Sequence, residues 1–116
     1  MNSQKEIIQN IVNLVLAVIE PGWVEFTINY QVEGARSQEV NSYLIEEDGL
    51  MREKSMPFIP ELNRVMRELR SHLSQDGEEF TRCVIRTEST GKFNTEYSYD
   101  PVDWSESASW NYNVNN

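Results

Sequence analysis

Gly91-Lys92-Phe93-Asn94-Thr95-Glu96-Tyr97-Ser98-Tyr99-Asp100 is the stretch on which the fold turns. Phe93, Thr95, Tyr97 and Tyr99 hold the odd positions, and Lys92, Asn94, Glu96 and Ser98 the even ones. A period of two belongs to a β-strand with one buried face. Upstream, the apolar run from Phe80 to Thr87 ends in Glu88-Ser89-Thr90-Gly91. A glycine can adopt the positive φ that closes a short hairpin loop. The two runs therefore read as a β-hairpin whose second strand carries an aromatic face. The other elements need an apolar surface to lie on, and this face offers one.

Outward from the hairpin, two amphipathic helices and a second strand pair can be read. Ser3 with Glu6 is a capping-box pattern, and Ile7, Ile8, Ile11, Val12, Val15, Val18 and Ile19 fall on one helical face. Pro21-Gly22 stops that helix, which is expected over about residues 3–20. Val24, Phe26, Ile28, Tyr30 and Val32 then alternate with Glu25, Thr27, Asn29 and Gln31, giving the clearest strand in the chain. Glu33-Gly34-Ala35-Arg36 supplies a turn, and residues 39–46 read as the returning strand. After the acidic turn Glu46-Glu47-Asp48-Gly49, the segment from Leu50 to Phe58 is ambiguous, because Pro57 and Pro60 bar a strand through it. Leu62, Val65, Met66, Leu69 and Leu73 form the stripe of a second helix, with Pro60 suited to its first turn and Gln75-Asp76-Gly77 at its end. In the tail, Trp110, Tyr112 and Val114 alternate with Asn111 and Asn113, as a fifth edge strand or as a loosely packed tail. The expected order is α-β-β-α-β-β(-β). That order implies an α+β fold, an antiparallel sheet of four to five strands with two helices on one face.

The 116 residues fit one domain spanning 1–116, and 39% hydrophobic with 10% aromatic content is enough for a core. Nineteen acidic against ten basic residues give a formal charge of −9. Such a chain is repelled by phosphate backbones, so direct nucleic-acid binding is not expected, and a basic macromolecule is the natural electrostatic partner. The bland alternative is that acidity serves solubility alone. Cys83 is the only cysteine, so no internal disulfide can form and a reducing compartment is the easier reading. The apolar run Ile11 to Ile19 follows Lys5 as in a signal peptide. It is interrupted by Asn13, however, it ends in Glu20-Pro21-Gly22 and it is too short to span a bilayer. A cytoplasmic helix is expected, with no membrane association.

No chemistry-bearing constellation emerges. His72 is the only histidine, and nothing in the sequence brings it to Cys83 or to a serine. A zinc site needs several Cys or His ligands, and the acidic groups lack calcium-loop spacing. There is no phosphate-binding glycine motif, and nineteen acids make paired carboxylates trivial to find. The chain reads as a non-enzyme without metal or cofactor. The competing reading is a small-ligand or enzymatic domain with an aromatic-lined pocket built from Tyr30, Tyr97 and Tyr99.

Several of these segments together resemble the YezG-like family of bacterial immunity proteins, the antitoxins of polymorphic toxin systems. The exit Ile19-Glu20-Pro21-Gly22-Trp23 is similar to that family's entry into its first strand, shifted by one residue around the proline. Met56-Pro57 and Gly-Lys-Phe followed by Tyr-x-Tyr-Asp in residues 91–100 carry the rest, over about residues 7–100. Phe80 stands where a second tryptophan would be expected, and the tail beyond Asp100 matches hardly at all. The resemblance implies binding and neutralisation of a cognate toxin, a nuclease (RNase) domain such as a contact-dependent growth inhibition effector, with no catalytic residue to carry over. A basic nuclease surface suits an acidic inhibitor. Three acidic clusters are available to meet it: Glu46-Glu47-Asp48, Asp76 to Glu79, and Asp100-Asp103-Glu106. Only the third has apolar neighbours, so Asp100, Asp103, Trp104, Glu106 and Trp110 are expected to lead the toxin-facing surface, with Glu46, Glu47 and Asp48 as a second patch.

Overall fold

The period of two at residues 23–33 is realised as the central strand of the sheet. The computed structural model describes residues 3–74 and 77–104. In chain order these form α1 (Gln4–Leu16), β1 (Trp23–Glu33), β2 (Arg36–Glu47), β3 (Leu50–Ser55), α2 (Leu62–Leu73), β4 (Arg82–Glu88) and β5 (Phe93–Ser98). The sheet runs β3-β2-β1-β4-β5, and every neighbouring pair is antiparallel. The fold is α+β, with both helices on one face of the sheet. Phe26, Ile28, Tyr30 and Val32 of β1 are fully buried on that face, against Ile7, Ile11 and Val15 of α1 and Leu62, Val65, Met66 and Leu69 of α2. A bulge between Trp23 and Glu25 lets Trp23 turn to the core as well, its ring 5.6 Å from that of Phe26. Without the extra residue, two side chains three positions apart would face opposite sides.

The fifth described strand is not where alternation placed it. β3 occupies the first part of the ambiguous segment, so the order is α-β-β-β-α-β-β. A strand was not expected there, but Pro57 bars the ladder only from its own position onward, and β3 ends two residues earlier. Its burial is low throughout, as suits a charged edge strand, so it has no apolar period to detect. What specifies it is the turn. Asp48 and Gly49 both take positive φ, 53° and 79°, which is the two-residue Asp-Gly hairpin geometry. The proposed strand at Trp110 to Val114 lies outside the described residues.

Two boundaries and the burial of one face also differ from expectation. α1 stops at Leu16 rather than near residue 20, and the chain tightens through Val18 and Ile19, whose N–H groups both donate to the Val15 carbonyl. A helix continued to Pro21 would drive the proline ring into the carbonyl of Ala17. β2 begins at Arg36, three residues early, because Gly34 with φ 58° closes a two-residue turn between the paired Glu33 and Arg36. In β5 the aromatic face does point to the helix layer, but of its aromatics only Tyr97 is even half-buried. Tyr97 stacks on Phe80 at 5.5 Å, while Phe93 and Tyr99 are each more than half exposed.

Candidate protein-binding surface

Among the described residues nothing packs over the face of the sheet opposite the helices, and the pairing register assigns its side chains. Residues directly opposite one another in an antiparallel pair share a face. Counting from the buried Phe26, the open face takes Glu25, Thr27, Asn29, Gln31 and Glu33 from β1. It takes Val40, Ser42, Leu44 and Glu46 from β2, Met51 and Glu53 from β3, Arg82, Val84, Arg86 and Glu88 from β4, and Asn94 and Glu96 from β5. One cross-strand row reads Glu53, Leu44, Glu25, Glu88. Glu25 and Glu88 are directly opposed, a like-charge pairing that costs roughly 0.2–1 kcal/mol. Arg86 does not relieve it in full, because it is bridged to Glu96 at 3.2 Å. Among the described residues Glu25, Glu46, Glu53 and Glu88 enter no ion pair. Leu44 lies between Glu53 and Glu25, and Met51, opposite Glu46, is 57% exposed.

The residues singled out from sequence fall at two ends of this sheet. Trp104 lies where β1 turns into β2. Its Nε1–H donates to Glu33 at 3.3 Å, the Arg36 guanidinium stands 4.1 Å from its ring centre, and the Val102 N–H donates to the other Glu33 oxygen. Asp100 is fixed through its backbone carbonyl, which accepts from the Thr81 hydroxyl, and Asp103 is exposed beside Trp104. Trp104 is thus half-buried, held by the sheet rather than free. Glu106 and Trp110 lie outside the described residues. Glu46, Glu47 and Asp48 sit at the far end, roughly 30 Å away along the ten-residue rise of β1. There Glu47 is turned to the other face and is engaged by Lys54 at 3.5 Å and Arg52 at 4.0 Å. Of the remaining cluster, Glu79 lies 4.0 Å from Arg70, and Asp76 is outside the described residues.

Sequence reading missed Glu25, Glu53 and Glu88, which no run of acids announces. They are brought together by register, and the signals that could have found them are the odd positions of β1 and the Asp-Gly turn. The criterion of acid beside apolar surface is met here too, by Leu44 and Met51.

The candidate chemical groups occupy ordinary environments. Cys83 is fully buried, and burial pushes its thiol up to about 12. His72 is exposed on α2. The described residues hold no cluster of His, Cys, Asp and Glu suited to a metal ion, and none of their helices is long and apolar enough to cross a membrane. Tyr30 is fully buried with its hydroxyl donating to Asn63 at 2.6 Å, Tyr97 accepts from Gln4, and Cys83 stands between the two in the register. Tyr30, Cys83 and Tyr97 thus lie side by side on the helix-covered face of the sheet. Compared with known proteins, the chain matches no family model and no curated sequence.

Proposed function

We propose that this protein is a cytoplasmic immunity protein that binds a cognate bacterial toxin and covers the basic surface with which that toxin holds nucleic acid. The observation that carries the reading is the row Glu53, Leu44, Glu25, Glu88 on a sheet face that no described element covers. A fold has no use of its own for two opposed carboxylates, whereas a cationic partner converts their repulsion into attraction. The formal charge of −9 adds a long-range field that speeds encounter with such a partner. Leu44 and Met51 supply area that can be buried once the charges have met. The likeness of residues 91–100 to the YezG-like hairpin points the same way and narrows the partner to a nuclease toxin, of RNase type as in contact-dependent growth inhibition. Blocking a surface requires no catalytic group and no cofactor.

The test is co-purification with the product of the adjacent gene, followed by a nuclease assay with this protein in excess. Loss of nuclease activity at equimolar protein is expected. Full nuclease activity with this protein in excess overturns the reading.

A further inference from the structure

Among the described residues, only half of one edge of β2 has a partner. On the β1 side the strand is paired from Arg36 to Ile45, but β3 runs beside Ser42 to Glu47 alone. The chain leaves the sheet at Met56, whose N–H makes a last bond to the Asn41 carbonyl at 3.0 Å. Pro57 follows and has no N–H to continue the ladder. Ser37 to Asn41 therefore line one side of a cleft of about 630 Å³, with Met56, Pro57, Phe58 and Asn63 among its other walls.

The backbone groups that face this cleft follow from strand alternation. Val32 donates to the Thr81 carbonyl on the β4 side. Asn29 and Gln31 must then face β2, where they oppose Val40 and Gln38. Even-numbered residues of β2 thus point to β1, and Ser37, Glu39 and Asn41 point outward. The Met56 bond to Asn41 lies on that outward side and agrees. Ser37 and Glu39 present two N–H and two C=O groups to the cleft, bonded to nothing among the described residues.

A carboxylate without a cation stands at the same place. Glu39 shares the helix-layer face with Tyr30 and accepts from the Asn41 amide at 3.0 Å. Burial raises its pKa above the usual carboxylate range, and the Asn41 bond only partly opposes this. Among the described residues no Lys or Arg reaches it. The Asn63 side-chain oxygen already accepts from the hydroxyls of Tyr30 and Ser37. Phe58, 82% exposed, stands on the cleft wall.

We propose that the open edge of β2 at Ser37–Asn41 receives an extended segment of the basic partner as an added strand, with a Lys or Arg of that segment reaching Glu39. This rests on the reading of the protein as the inhibitor of a basic toxin and specifies where the two chains join. The main-chain groups of Ser37 and Glu39 fix register, the carboxylate selects a cation, and Phe58 covers apolar surface beside it. Two other occupants fit less well. The chain's own residues 105–116 contain no Lys or Arg. A second copy paired antiparallel along this edge would bring Glu39 towards its own counterpart.

The experiment compares amide hydrogen exchange in the free protein and in the complex with the co-purified partner. Exchange of the Ser37 and Glu39 amides should slow by at least about tenfold, as expected for new ladder bonds, while Gln38 and Val40, already bonded to β1, change little. Glu39→Gln should weaken binding by at least about tenfold, mainly through faster dissociation. Failure to form any complex overturns the functional reading and this one with it. A complex that leaves Ser37 and Glu39 exchange unchanged, or that binds Glu39→Gln equally well, overturns this inference alone. Protection of both amides in the free protein, lost when residues 105–116 are removed, assigns the edge to the chain's own terminus and also overturns it.

Discussion

Glu39 carries a penalty that the free protein does not recover. Its carboxyl is shifted upward by burial, so the folded chain holds that proton at a higher pH than the unfolded chain does. Between the ordinary value of 4.5 and the raised native one, the folded state binds more protons, and stability falls as pH rises through that window. Glu39→Gln keeps the acceptor for Asn41 and removes the charge. The variant should melt above the parent at pH 7, and the difference should fade below about pH 4, where the Glu39 carboxyl of the parent is mostly protonated in the folded and unfolded chain alike. Melting curves at the two pH values check this. Thr87 is a second residue held at a cost. Its hydroxyl is buried opposite Phe26, without a hydrogen-bond partner among the described residues. Thr87→Val replaces it with a similar shape and should stabilise the fold by about 1 kcal/mol, read as a rise in Tm of about 4 °C.

At the scale of elements, the hairpin turns decide more than the strands they join. Nothing stands within 4 Å of a Cβ built on Gly49, so Gly49→Ala tests backbone conformation alone. At φ 79° the alanine should cost about 1–2 kcal/mol and lower Tm by several degrees, with the far-ultraviolet circular dichroism spectrum unchanged. The same turn explains what could be read in the sequence. β1, α2 and the β4–β5 hairpin announce themselves because each buries one periodic face, as Phe26 to Val32 and Leu62 to Leu69 do. β3 buries almost nothing and so leaves no apolar period, and only Asp48-Gly49 marks its start. α1 was legible to Val15, but its last turn was not, because the stripe continues into Val18 and Ile19. Those residues remain packed against the core from a turn rather than from a helix. Burial sets the pattern, and the backbone that delivers it can differ.

For the whole molecule, the acidic character was legible and its placement was not, since Glu25, Glu53 and Glu88 meet only through register across four strands. That placement sets stability against binding. Glu88→Lys puts a cation opposite Glu25 and should stabilise the free protein by roughly 0.2–1 kcal/mol. It also removes negative charge from the proposed contact face, so association with the basic toxin should slow. The slowing should fade as salt rises and the screening length falls below about 8 Å. Glu61→Lys makes the same change in net charge at the start of α2, in the helix layer. If the open face is the contact, Glu61→Lys should leave association close to that of the parent. If both variants slow it equally, the field of the whole molecule steers the encounter and the sheet face has no special part in it. Stopped-flow association rates at two salt concentrations, set beside the melting curve of each free variant, separate these outcomes. A Glu88→Lys variant that is both more stable and slower to bind would show that the opposed carboxylates are kept for the partner and not for the fold.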